Sequence, residues 1–532
     1  MSGPRGKEPG LRSVVAGSGA EPDEIGTVAD RHPSAVAWHN LADGTDLTFA
    51  TWHTQSNRLA RGLVGHGLGP GDRVVIAIAP EEPFPWLIAY AAVHRAGAIA
   101  VPVNTRLAGP ELRTILAHAE PTVILASPGV GGGWPPSAPA GPSPPPVVAT
   151  TDGEEGTLDW ADLLHPDGSE LDRGPRPDRS TEIMDIMYTS GTTGAPKAVV
   201  VRYGPPRAGP TPEWNGLGFM TASPFSTTSG VLLVYGPMSG GLSGWYLPRF
   251  DAGTWLALTE DRRPVASFIV PAMAQLIVAH PRFATTDLSG LAAVTIGGAP
   301  VARATLARLG ERLSRADVLV GYGLTEFGAV SRSPSGDKGH HLGSAGRPLP
   351  GVEIRIVDDH GDEVPAGQVG EITVRGPGAH RAYYKEEATT GRTWRDGWLF
   401  SGDLGYLDED GFLWITGRTK DLIIRGGHNI TPGEVEEVLF AHPDVVDAVV
   451  AGIPHDVLGE DVGAWVVLQK GSDVTAPDLR RFLLERLADF KVPRTLHLVP
   501  SLPRNAAGKV LKRELGTAPP AGRTPPPPGP GR

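Results

Sequence analysis

The chain has 532 residues, 40% of them hydrophobic and 20% charged, which is enough to bury a sizeable core; global disorder is excluded and roughly three or four domain-sized units are expected. A net charge of −11 forces no basic face, which argues against nucleic acid or an anionic membrane surface as a partner. There is no cysteine, so disulfides, thiolate metal sites and a protein thiol nucleophile are excluded, and any sulfur chemistry must use a thiol carried by a ligand.

The first twenty residues lack the apolar core of a signal peptide. The most apolar long stretch, Trp86 to Val103, is broken by His94, Arg95 and Pro102, so a cytoplasmic protein without a membrane span is expected. Arg73 to Ala79 reads as a buried strand, Trp86 to Arg95 as a helix and Ala98 to Pro102 as the next strand; this alternation predicts an α/β fold. Residues 128–146 are too rich in Pro and Gly for helix or ladder and read as a surface loop.

The apolar run Ile183 to Met187 leads into Tyr188-Thr-Ser-Gly-Thr-Thr-Gly-Ala-Pro-Lys197. Gly191 and Gly194 allow close backbone approach to an anion, Ser190, Thr192 and Thr193 offer hydroxyl donors, and Lys197 adds positive charge. The Gly-to-Lys spacing is not that of a Walker A loop, and Ala198 stands where that loop has its metal-binding hydroxyl. Taken alone, the segment is equally well a Ser/Thr/Gly turn between strands.

Ala266 to Val270 and Ala293 to Ile296 read as further strands. After the second comes Gly297-Gly-Ala-Pro300, a surface without large side chains that suits a flat ring. The strand-like Val318 to Val320 precedes Gly321-Tyr-Gly-Leu-Thr-Glu326, read as a turn offering an aromatic face, a hydroxyl and a carboxylate. Ser401-Gly-Asp-Leu-Gly405 is expected to set Asp403 in a tight turn, where it could bind ribose hydroxyls.

A small α+β unit is expected from Lys420 to Leu515, its boundary near Thr416 to Lys420. Leu422 to Ile424, Val445 to Gly452, Ala464 to Leu468 and Thr495 to Val499 read as its strands. Thr431-Pro-Gly-Glu434 has capping-box form with Pro at the first helical position, followed by the stripe Val435, Val438 and Leu439. A second helix starts at Thr475 with Leu479, Phe482, Leu483 and Leu487 on one face. Pro503 to Lys509 puts a lysine beside Gly508, and residues 516–532 read as a disordered tail.

Each of these segments alone is as readily a turn as a site. In this order, from about Leu47 to Leu515 and with Gly97 to Asn104 and Gly370 to Gly376 among them, they resemble the AMP-binding superfamily of acyl-CoA synthetases, luciferases and peptide-synthetase adenylation domains. The resemblance implies an α/β fold class: a large N-terminal domain (1–419) of α/β sheets plus a distorted β-barrel, and a small mobile α+β lid (420–515). It implies that Thr189, Ser190, Gly191, Thr192, Thr193, Gly194 and Lys197 wrap the ATP phosphates. Tyr322, between Gly321 and Gly323, would stack on adenine, with Gly298, Ala299 and Pro300 lining the other side. Thr325 would touch the α-phosphate and Glu326 would hold Mg²⁺. Asp403 would bind the ribose, with Arg418 nearby, and Lys509 would reach between the acyl carboxylate and the α-phosphate. Lys420 occupies the hinge position. When the lid turns, Gly426 and Gly427 would border a tunnel for the pantetheine arm of coenzyme A.

The activity so implied is an acyl-CoA synthetase using ATP, Mg²⁺ and coenzyme A, acting on a small carboxylic acid through an acyl-adenylate, and relatives of this kind are often homodimers. Two departures stand out. Ala198 follows Lys197 where the family commonly has Gly, and only 26 residues separate Lys197 from Pro224, a shorter segment than usual. Thr227 then takes the place of the family's His. Thr227, Ser229, Gly230 and Gly323 are candidate acid-pocket residues and suggest a roomy, partly polar cavity for a bulky cyclic or aromatic acid. The shortened segment also keeps open an enzyme that only transfers a preformed acyl-adenylate to coenzyme A, and, less favoured, a non-catalytic nucleotide-binding protein. The Gly/Pro/Arg-rich style resembles that of actinomycete secondary-metabolism ligases.

Overall fold

The computed structural model describes residues 23–130, 146–172, 179–189, 197–204, 213–337, 341–376, 381–505 and 508–517. It is a mixed α/β protein with a large N-terminal and a small C-terminal domain. Most of the loop expected at 128–146, the phosphate-loop residues Ser190, Gly191, Thr192, Thr193 and Gly194, and the tail from 518 lie outside the described residues.

Two sheets form the body of the large domain. The first has seven strands in the order Leu158–Asp159, Val147–Thr150, Val123–Ala126, Arg73–Ala77, Ile99–Pro102, Ile183–Thr189, Lys197–Arg202, parallel except for the last pair. The expected strand–helix–strand unit is present as Arg73–Ala77, Pro83–Arg95 and Ile99–Pro102. The second sheet has nine strands, in which Val36–Asn40, Ser243–Tyr246, Gly218–Thr221, Ala266–Ile269, Ala293–Ile296 and Asp317–Leu324 run parallel side by side. A core rich in aromatic residues lies between the two sheets and the helices Phe49–Gly65 and Pro83–Arg95, with Trp38, Trp52, Trp86, Tyr90, Phe225, Tyr235 and Tyr246 all buried. Burial of each such side chain contributes about 1.5–3 kcal/mol of transfer free energy, and that layer locks the sheets together.

The large domain also carries a five-stranded antiparallel sheet built on Glu353–Val357, Gly370–Arg375, Trp394–Arg395, Trp398–Leu407 and Leu413–Arg418. The C-terminal sheet comprises Ile423–Arg425, His428–Ile430, Val445–His455, Gly459–Leu468 and Thr495–Leu498. Helices Pro432–Phe440 and Ala476–Leu484 cover it with fully buried Val435, Leu439, Leu479 and Leu483. Thr475 caps the second helix with a complete capping box through Asp478. Thr431 does not form the predicted box: the Glu434 N–H donates to Thr431 O at 3.1 Å and not to the Thr431 side chain, and the Glu434 carboxylate is held by Lys491 Nζ at 2.6 and 2.8 Å.

Two other expectations change. Gly321 to Leu324 is not a turn: the strand runs on as Asp317–Leu324, because it pairs with Gly328–Arg332, and the turn begins at Thr325. Asp403 likewise sits within Trp398–Leu407 and not in a tight turn; the irregularity is a register shift beside Gly402, whose φ is +70°. Among the described residues no helix is long and apolar enough to cross a membrane.

Candidate active site

In an open parallel sheet, ligands bind beyond the carboxyl ends of the strands. Three strands of the nine-stranded sheet end in predicted site segments, Gly218–Thr221 before Thr227, Ala293–Ile296 before Gly297, and Asp317–Leu324 before Thr325 and Glu326; Ala266–Ile269, which lies among them, ends at Val270. Residues far apart in sequence thus meet along one edge.

Tyr322, Asp403 and Arg418 meet there. Tyr322 donates its hydroxyl to Asp403 Oδ2 at 2.6 Å, and Arg418 Nε lies 2.7 Å from Asp403 Oδ1. Asp403 and Arg418 face each other as a cross-strand pair. Burial, then the Asp403 charge, pushes the Tyr322 phenol well above its ordinary pKa, so it stays a donor. Gly298 has φ +92°, a left-handed conformation that favours glycine. With Ala299 and Pro300 it is exposed, and Gly297 faces the Phe268 ring with no side chain between.

The Thr325–Glu326 turn is held from three directions. Thr228 Oγ1 and Thr325 Oγ1 share a hydrogen bond of 2.9 Å. Arg381 Nη1 donates to Thr325 O at 2.8 Å, and Tyr383 donates its hydroxyl to Glu326 Oε1, also at 2.8 Å. Lys197, which pairs with Thr189 between the antiparallel strands Ile183–Thr189 and Lys197–Arg202, holds its ammonium 4.8 Å above the Tyr383 ring. Among the described residues no cluster of three His, Asp or Glu could cage a metal. Mg²⁺ usually takes one or two carboxylates plus substrate phosphates, and Glu326, with one oxygen on Tyr383, fits that mode of binding.

The acid-pocket residues divide. Thr227 caps helix Thr228–Ser239, accepting from Gly230 N–H at 3.0 Å, with Ser229 Oγ 3.4 Å from its own hydroxyl. Gly230 and Gly323 do not provide room. A Cβ on Gly230 would lie 1.9 Å from Pro224 O, and one on Gly323 2.6 Å from Gly328 O. Close backbone approach accounts for both glycines.

Lys509 comes from the small domain. Arg504 braces its hairpin: Arg504 Nη2 lies 2.8 and 2.6 Å from the Asp447 carboxylate oxygens, and Nη1 donates to Gly508 O. Asn505 Oδ1 accepts from Lys509 N–H at 2.9 Å. The tip is seated on the large domain, since a Cβ on Gly508 would meet Val270 Cγ2 at 3.1 Å. Lys509 is exposed, yet desolvation, then the Arg418 charge, lowers its pKa below the ordinary lysine value, with Asp421 and Asp403 opposing.

Further contacts join the domains. Glu437 accepts from Arg303 N–H at 3.0 and 3.3 Å, capping helix Arg303–Arg312, which starts just beyond Pro300. Arg513 Nη2 lies 3.8 Å from Glu111 Oε1. Lys420 is exposed in the short turn Thr419–Asp421 between the domains. Gly426 and Gly427 are not brought to the crevice: Gly426 N–H donates to Leu458 O within the small domain, and nothing lies within 4 Å of a Cβ on Gly427.

Arg381, Tyr383, Arg504 and Glu437 are not among the residues that the sequence singles out. Arg381 and Tyr383, two apart in an extended segment, share one face, and that spacing was the available signal.

A model of the AMP-binding enzyme family matches residues 26–384, and one of the AMP-binding enzyme C-terminal domain matches residues 434–509. The chain is 34% identical over 497 residues to the fatty acid–[acyl-carrier-protein] ligase ScoC of Streptomyces coeruleorubidus, covering 89% of this chain and 92% of that one. It is 34% identical over 496 residues to a feruloyl-CoA synthase of an Amycolatopsis species, covering 89% and 94%. Among solved structures, ATP-bound MatB from Rhodopseudomonas palustris superposes with a TM-score of 0.78 at 29% identity, covering 93% and 98%.

Proposed function

This chain belongs to the AMP-binding enzyme family, and from that premise we propose that its two half-reactions are run from one crevice by a lid hinged at Lys420, on a bulky aromatic or cyclic acid, with coenzyme A as the thiol. It is an acid–thiol ligase of the AMP-forming kind. In the first half the acid's carboxylate oxygen attacks the α-phosphorus of ATP and pyrophosphate leaves, giving an acyl-adenylate. In the second, the thiol sulfur attacks the acyl carbon, the C–O bond to AMP breaks, and the thiol proton is lost.

The barrier to the first half is charge crowding, so fixed cations and donors aimed at the reacting oxygens carry it. Lys509 reaches between the carboxylate and the α-phosphate; Thr325 donates to the α-phosphate; Lys197 neutralises the outer phosphates. Glu326 holds Mg²⁺, which when bound offsets phosphate charge. Tyr322, Gly298 and Ala299 hold adenine, and Asp403 and Arg418 hold the ribose. Rotation about Lys420 then withdraws Lys509 and brings Gly426 and Gly427 to the crevice for the pantetheine arm.

One observation carries this reading: the Lys509 hairpin is seated on Val270, at the same strand ends as Tyr322, Thr325 and Glu326. That is the arrangement the ATP-dependent half requires, so the full two-step ligase is favoured over transfer from a preformed adenylate alone. The aromatic acid rests on the hydroxyl-lined start of helix Thr228–Ser239 and on the feruloyl-CoA synthase likeness. The test is ATP–pyrophosphate exchange over straight-chain, aryl and cyclic acids, followed by thioester formation with free coenzyme A or a pantetheinylated carrier. Exchange with no acid of the panel, alongside turnover of supplied acyl-AMP, would overturn the two-step reading. Preference for straight-chain acids or for the carrier would overturn the substrate assignment.

A further inference from the structure

Residues 381–384 add to the edge of the strand Lys197–Arg202. Val200 N–H donates to Ala382 O at 2.9 Å, and Tyr384 N–H donates to Ala198 O at 2.8 Å, so Tyr383 bridges to Val199. Alternate residues of an extended chain point the same way. Arg381 and Tyr383 accordingly both reach the Thr325–Glu326 turn, one at a backbone carbonyl and the other at the carboxylate. Their segment is itself fixed: Tyr383 N–H donates to Thr390 Oγ1 at 2.9 Å, and Trp394 Nε1 donates to Arg381 O at 3.2 Å.

Tyr383 therefore stands between two opposite charges. Its ring lies under the Lys197 ammonium, and its hydroxyl holds Glu326. Among the described residues the two ions form no direct pair. A direct pair would turn both away from a polyanion and its cation, and each would have to break free in every cycle. An aromatic face stabilises an ammonium by about 0.5–2 kcal/mol, enough to orient Lys197 without neutralising it. A neutral phenol donates one hydrogen bond and leaves the second carboxylate oxygen for other partners.

We propose that Tyr383 is a positioning residue for the first half-reaction, a spacer that seats Lys197 on its ring and anchors one oxygen of Glu326, so that the cation and the carboxylate are presented to the triphosphate at a fixed separation. The inference rests on the roles given to Lys197 and Glu326 above.

The test uses the full-length protein and four forms: wild type, Tyr383→Phe, Tyr383→Leu and Glu326→Gln, each checked for an unchanged melting transition. Tyr383→Phe keeps the ring and loses the anchor. Its pyrophosphate-exchange kcat is expected to fall roughly tenfold, the scale of one hydrogen bond to a charged group, with transfer from supplied acyl-AMP to coenzyme A within about twofold. Calorimetric titration with ATP supplies a readout independent of turnover. The gain in ATP affinity on replacing EDTA by Mg²⁺ should shrink in Tyr383→Phe, while binding of metal-free ATP should stay as in wild type. Tyr383→Leu, which removes the seat for Lys197 as well, should weaken metal-free ATP too. If Glu326→Gln lowers exchange and Tyr383→Phe changes neither exchange nor the Mg²⁺-dependent gain, the spacer is refuted and the role of Glu326 stands. If neither variant lowers exchange, both fall. Equal losses by Tyr383→Phe in both half-reactions would reduce Tyr383 to a structural part and overturn the proposal.

Discussion

Glu437 offers the sharpest test of the lid. Its carboxylate accepts from the first N–H of helix Arg303–Arg312 across the domain boundary, so its loss should be felt in docking and not in the fold of either domain. Removing a helix-capping acceptor costs about 0.5–2 kcal/mol. Taking about 1 kcal/mol, Glu437→Ala should shift the docking equilibrium constant of the lid about fivefold, the upper limit of any fall in the docked fraction. The charge itself is a different matter. Burial raises the Glu437 carboxyl's pKa, with the Arg303 amide and guanidinium opposing. Glutamine keeps the acceptor without the charge, so Glu437→Gln should hold the lid within about twofold of wild type. The assay is pyrophosphate exchange and acyl-AMP-to-CoA transfer measured separately at neutral pH. Alanine should lower exchange by up to about fivefold and leave transfer unchanged or faster. Glutamine as damaging as alanine, or alanine lowering both halves alike, would refute the reasoning.

Lys509→Ala should cut exchange by roughly a hundredfold or more while sparing transfer from acyl-AMP, measured in the same paired assays. Because desolvation and Arg418 lower the Lys509 pKa, exchange should fall at a pH below the ordinary lysine range, and Lys509→Arg should remove that alkaline fall while lowering the rate. Asp403→Asn removes the charge shared by Tyr322 and Arg418 and should raise the KM for ATP roughly tenfold in exchange kinetics, with the KM for coenzyme A little changed. Gly230→Ala would set a Cβ 1.9 Å from Pro224 O; overpacking of about 1–3 kcal/mol should lower the melting transition instead of altering acid preference, and an unchanged transition with a new preference would restore Gly230 to the pocket.

The strands and helices with a strong apolar period were legible from sequence. The Pro83–Arg95 helix and its flanking strands follow from burial patterns that local chemistry dictates. The glycine-rich motifs were legible as a set but misread in shape. Gly321 to Leu324 and Ser401 to Gly405 carry the composition of turns, yet partners across the sheet hold both in strands. Thr431 illustrates the same limit, since a lysine far along the chain captures the carboxylate that would have closed the box. Tyr383 and Glu326 are 57 residues apart, and Glu437 caps a helix 134 residues upstream; nothing in local pattern encodes such meetings. Glycines were misjudged for a related reason, because a missing Cβ marks close backbone as readily as open space.

The bracing of the Lys509 hairpin has a consequence for turnover. Arg504, Asp447 and Asn505 all belong to the small domain, so they travel with the lysine and need not be rebuilt when it leaves. Among the described residues, what such a movement exchanges includes a capped amide, a long ion pair, a glycine against a valine, and the packing of helices Pro271–Ala279 and Arg303–Arg312 on the small domain. Under the rotation proposed above, the bracing of the lysine is conserved through the turn, and only the boundary contacts have to be broken and remade.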